Sequence, residues 1–91
     1  MAARNGIEFT IPLTLGDGRT VQTVYCKLTA DALEGYGEDG IHRGDEILLD
    51  FIIGSGGGIT QTTRIAYRVT HAHPDSYQGR GCTWFMAVPP S

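Results

Sequence analysis

Two histidines, His71 and His73, form the arrangement in this sequence closest to a metal-binding motif. In an extended chain, alternate residues point to the same side, so both rings face one way. A zinc site needs further ligands, for which Asp75, Cys82 and His42 are candidates by proximity only. The pattern is more typical of exposed imidazoles at a loop end. We therefore predict no metal site and treat His71 and His73 as weak candidates.

Three arginines are candidates for binding an anion. Arg64 and Arg68 share one face of a predicted strand, about 13 Å apart along the chain. Arg80 joins them if the last strand pairs next to theirs. A guanidinium presents a planar fork of donors that suits phosphate or carboxylate. Three arginines are too few for duplex binding in a chain with a net charge of −3, so we expect no direct nucleic-acid partner.

The acidic residues are unevenly distributed. Most of the ten lie between positions 31 and 50, where Arg43 is the only Lys or Arg. An acidic surface of this kind suits solubility or docking to a partner with a basic surface. On the docking interpretation, the contact residues are Tyr36, Glu38, Asp39 and Asp45.

Catalysis has little support in the sequence. The serines lack the context of a nucleophile elbow, and nothing indicates a lowered pKa for Cys82. Cys26 and Cys82 lie in apolar runs, which is typical of small buried side chains. The glycine run 54–58 lacks the Gly-Lys-Ser/Thr ending of a phosphate-binding loop. We therefore predict a protein that is not an enzyme and has no cofactor.

Alternating apolar and polar residues place these side chains on strands. A short helix is predicted at 30–34, capped by Thr29 and ended by Gly35. Residues 35–44, 54–58 and 71–78 are predicted as loops. The last strand sets Trp84 and Phe85 on opposite faces, so that one of them lies in the core. The predicted strands cover residues 7–15, 19–28, 46–53, 59–70 and 80–88. In the strand 59–70, Ile59, Ile65, Tyr67 and Val69 are predicted to face inward.

Ninety-one residues support one domain, predicted to span positions 1–91. Five strands without a long crossover favour antiparallel pairing. The expected fold is therefore all-β with one short helix, a small antiparallel five- to six-stranded barrel or roll. No apolar run is long enough for a membrane span, and the N-terminus has no signal-peptide core. A cytoplasmic protein without a membrane partner is expected.

The second half of the chain resembles a PilZ domain. The resemblance covers roughly residues 43–88 and lies in the strand motifs RGDEILLDF at 43–51, RIAYRV at 64–69 and GRGCTWF at 79–85. PilZ domains that bind cyclic di-GMP carry an RxxxR run and a D/N-x-S-x-x-G turn. Here Arg4 is followed four residues later by Glu8, and the turn motif is absent. The resemblance thus implies a divergent regulatory adaptor without the ligand motifs.

The leading functional expectation is a non-catalytic module that binds another protein through surface contacts. One alternative is a phage or mobile-element inhibitor of a host complex, of the anti-CRISPR type, acting through the acidic segment 31–50. Another is a structural subunit of a larger assembly, in which the strand containing Pro12 pairs across chains. A homodimer is compatible with any of these.

Overall fold

Antiparallel strands account for nearly all regular structure in the computed structural model, which describes residues 6–90. Arg4 and Ser91 lie outside the described residues. The strands form one sheet in the order β1-β4-β5-β8-β7-β6-β2-β3. The all-β prediction is confirmed, but the expected five to six strands are eight in this sheet. The strands are β1 (Ile7–Phe9), β2 (Leu13–Leu15), β3 (Thr20–Val21), β4 (Thr23–Leu28), β5 (Leu33–Gly37), β6 (Glu46–Gly56), β7 (Ile59–Tyr77) and β8 (Arg80–Val88).

Two of the three additional strands come from bends in the first hairpin, and the third is β5. The predicted strand 7–15 is divided into β1 and β2 around Pro12, and the predicted strand 19–28 into β3 and β4 around Gln22. Pro12 has no N–H to donate to a ladder, which favours a break at this point. β4 pairs with β5, whereas β2 pairs with β6. The same hairpin therefore contributes to both ends of the strand order, and the sheet curls into a half-barrel.

The predicted helix at 30–34 is wrong, because the chain makes a tight turn and enters β5. Thr29 Oγ1 does accept backbone hydrogen bonds, from the N–H groups of Asp31 and Ala32, each at 3.3 Å. These bonds close a turn instead of capping a helix. Leu33, Gly35 and Gly37 are buried, which is the period-two pattern of a strand. A side chain at Gly35 would overlap the carbonyl oxygen of Tyr25 on β4, so close strand packing explains the glycine.

β7 is longer than predicted and changes neighbours along its length. Residues 71–77, predicted as part of a loop, continue the strand, and only Gln78 and Gly79 form the turn to β8. From Ile59 to Arg68 the strand pairs with β6, and from Arg68 to Tyr77 it pairs with β8. Pro74 therefore lies where β7 has one described strand neighbour, a position that tolerates proline.

The core fills the concave side of the curled sheet. Phe85 is fully buried, and its neighbour Trp84 lies half-buried on the convex side, as the alternation predicts. Among residues 6–90 there is no helix able to cross a membrane. The other buried apolar side chains of this core are Leu13, Leu15, Val21, Cys26, Leu33, Ile41, Ile47, Leu49, Tyr67, Val69 and Ala87. Cys82 is also buried but lies on the same face of β8 as Trp84.

Candidate functional site

A two-stranded hairpin projects from the sheet and is called the arm here, residues 50–64. β6 pairs with β2 only at Ile47 and Leu48, and β7 pairs with β8 only from Arg68 onward. The distal halves of β6 and β7 therefore have only each other as described strand neighbours. At the usual rise of a strand, β6 extends about 20 Å from Asp50 to Gly56.

Three isoleucines on the arm are exposed to solvent. The exposed fractions are 72% for Ile52, 63% for Ile53 and 67% for Ile59. The sequence pattern predicted that Ile59 faces inward with Tyr67, and this is wrong. Ile59 lies on the same side of β7 as Tyr67, but the core does not extend as far as the arm. Ile52 pairs with Thr62 and therefore lies on the opposite face of the arm from Ile59, so the arm exposes apolar side chains on both faces. Large exposed apolar side chains are typical of a contact surface.

Glycines shape the tip of the arm. Gly57 and Gly58 have φ angles of 58° and 80°, the left-handed region that a tight two-residue hairpin turn requires. The predicted loop 54–58 is thus largely strand, with only these two residues in the turn. Gly54 and Gly56 leave the backbone uncovered beside Ile59, where an open hollow of about 300 Å³ forms.

One ion pair marks the base of the arm. Arg64 donates to both carboxylate oxygens of Asp50 across the β6–β7 pair, from Nε at 2.8 Å and from Nη2 at 3.1 Å. These hydrogen bonds hold the pKa of Asp50 below its ordinary value. Between the two residues, positions 51–63 contain no Asp, Glu, Lys or Arg. The arm beyond its base is therefore uncharged.

The predicted acidic contact residues do not form one continuous group. Glu38 accepts a hydrogen bond from Arg80 at 3.2 Å, and these two residues line one open hollow together with Asp39. Asp45 is engaged elsewhere, by Arg19 Nη2 at 3.3 Å and by the backbone N–H of His42 at 2.9 Å.

Tyr36, the remaining predicted contact, lies in β5 and not in a loop. Its side chain belongs to an aromatic strip on the convex face of the sheet. Tyr77 packs between Tyr25 and Tyr36, with ring centroids 5.5 Å and 4.8 Å apart. Trp84 stacks on His73 at 4.9 Å. Because the rings face one another, they fasten the β7–β8 hairpin to β4 and β5.

The three candidate arginines are each placed beside acidic residues. Arg64 binds Asp50, and Arg80 binds Glu38. Arg68 pairs in register with Glu46 on β6 and shares a hollow with Asp17 and Asp45. Arg80 pairs with Tyr77 at the far end of β7, so it does not lie beside Arg64.

The histidines and cysteines are placed without a shared centre. His71 and His73 both lie beside Trp84, and residues 6–90 contain no cluster of three or more potential metal ligands. Cys26 on β4 and Cys82 on β8 are separated by β5, and both thiols are free. Burial raises the pKa of Cys26 to about 11 and also raises that of Cys82, so both are protonated at neutral pH.

Sequence reasoning missed the arm as a surface, although a signal was present. The stretch 51–63 combines β-branched residues and glycines without one charge, which is unusual for an exposed hairpin.

Comparison with known proteins identifies no relative, because no family model, curated protein or solved structure matches the chain. The arm is an apolar hairpin whose two strands have no other described strand neighbour. Its open strand edges can form contacts with another chain.

Proposed function

We propose that this protein is a non-catalytic protein-binding module and that the arm makes the main contact. The observation that carries the proposal is the exposure of Ile52, Ile53 and Ile59 on a hairpin that no third described strand supports. Burying such side chains against a partner contributes roughly 1.5–3 kcal/mol each before the costs of association.

The backbone of the arm supports the same function. An isolated two-stranded hairpin is only marginally stable in water, and further strands or a packed face stabilise it. The outer edges of both arm strands leave N–H and C=O groups free to pair with an added strand. A partner that adds a strand would therefore satisfy backbone groups at one edge of the arm and contact the isoleucines of the strand that it joins.

Two further observations favour binding over chemistry. The thiols of Cys26 and Cys82 are buried and protonated, which disfavours them as nucleophiles. The hollow between residues 39–43 and β7 is open to solvent and has a volume of about 300 Å³, at the lower end of the range for ligand pockets. A structural subunit of a larger assembly is the second candidate, favoured by the open and uncharged arm edges.

Affinity capture with three forms of the chain tests the proposal. The wild type is compared with an arm variant, Ile52→Ser/Ile59→Ser, and with an acidic-segment variant, Glu38→Lys/Asp39→Lys. We expect one partner that the wild type and the acidic-segment variant retain and the arm variant loses. Loss with the acidic-segment variant alone would assign the contact to residues 31–50. Equal capture by all three forms would refute both assignments.

A further inference from the structure

We infer that the chain that pairs with the arm is a second copy of this protein, joined edge to edge along the distal part of β7. The inference rests on the proposed function, because it takes the arm as the contact surface. It adds the identity of the partner and the strand that pairs.

The open edge of β7 is suited to pairing. Between Ile59 and Arg64 the strand contains neither glycine nor proline, and its pairs with β6 are regular from Thr62 onward. The extra residue at the register shift, Ile53, belongs to β6. The outer edge of β6 is less suitable, because a register shift lies between Ile52 and Gly54 and glycines follow. Bulges and glycines disturb a ladder, whereas threonine and isoleucine favour strands. The regular edge is therefore that of β7.

The charge distribution permits two copies of the chain to pair at the arm. The chain as a whole carries −3, and like charges facing each other across strands are destabilising. The arm is the exception, since positions 51–63 are uncharged. In an antiparallel pairing centred on Gln61, Arg64 meets Gly58 and not another charged residue. Two copies can thus approach through the arm without repulsion between facing side chains.

Symmetry and strand number add to this argument. Antiparallel pairing of one edge with itself produces a two-fold axis at Gln61, and two-fold dimers are the commonest oligomers. The two arms then form a four-stranded sheet, which exceeds the number of strands needed for independent stability. Each arm supplies the neighbouring strand that the other lacks.

Sedimentation velocity across low micromolar to millimolar concentrations tests the dimer. Thr62→Lys places a charge at the pairing edge, and the matched control Thr20→Lys places the same charge on β3. We expect the wild type and Thr20→Lys to dimerise, and Thr62→Lys to weaken the dimer about tenfold, because two lysines lie close together across the axis. A wild type that remains monomeric at all concentrations would overturn the inference.

Cysteine cross-linking tests the register. In the proposed pairing the two Gln61 residues face each other on the axis, at a spacing that a disulfide can bridge. Gln61→Cys should form a covalent dimer on mild oxidation, with Thr20→Cys as the control, while the buried native thiols stay free. Equal cross-linking of the two variants would count against edge pairing.

The two proposals fail in different ways. If the wild type is monomeric but the Ile52→Ser/Ile59→Ser variant loses a captured protein, the arm is the contact surface and the second copy is the wrong partner. If that variant alters neither capture nor self-association, the arm is not a contact surface and both proposals are refuted.

Discussion

Replacing isoleucines within β6 provides a direct test of whether the arm is free in solution. The strand contains Ile47, which is completely buried, and Ile52, which is 72% exposed. Residue type and strand are the same, so the difference between the two sites lies in what surrounds them. We expect Ile47→Ala to lower the free energy of unfolding by about 2–5 kcal/mol, through lost burial and the remaining cavity. Ile52→Ala should change it by no more than about 0.5 kcal/mol.

Urea denaturation at low protein concentration, followed by tryptophan fluorescence of Trp84, measures both changes. Domains of ordinary stability have about 5–15 kcal/mol in total, so Ile47→Ala can approach complete unfolding. Ile47→Val, expected to cost about 0.5–1.5 kcal/mol, keeps the core measurement within range. If Ile52→Ala destabilises the protein as much as Ile47→Ala, the arm packs against the body, and the reasoning behind a free contact surface is refuted.

Three further predictions concern the fold that carries the arm. Gly35→Ala should cost about 1–3 kcal/mol in a thermal melt, because its methyl group overlaps the carbonyl of Tyr25, and an unchanged melting temperature would contradict the close packing. The Asp50–Arg64 pair should stabilise the fold at any pH above the ordinary carboxyl pKa of 3.8, because the pKa of Asp50 is lower in the folded protein. This contribution is lost as the pH falls through that lowered pKa. Melting temperatures of wild type and Asp50→Asn should therefore differ at pH 7 and converge in strong acid; a constant difference would contradict the pair. The thiol of Cys26, with a pKa of about 11, should react with a disulfide reagent at neutral pH only after denaturant is added, and rapid reaction of the native protein would show that the site opens.

Strands with a clear alternation were predictable, because one face of each meets the core. Leu13 and Leu15, then Ile47 and Leu49, repeat at every second residue and are buried as the pattern predicts. β5 was missed for a physical reason. Gly35 occupies an inward position where no side chain fits, and a buried glycine leaves no apolar signal in the sequence. Propensity then favoured a helix ending at that glycine.

The candidate site could not be derived from alternation, because this pattern specifies faces and not how far the neighbouring strands extend. Ile59 and Tyr67 lie on the same face of β7, yet one is 67% exposed and the other 6% exposed. The difference depends on where β8 begins to pair, at Arg68, which is a property of tertiary structure. The absence of charge in residues 51–63 was readable from the sequence alone. An uncharged strand is unremarkable inside a sheet, and it indicates a contact surface only once its edges are known to be open.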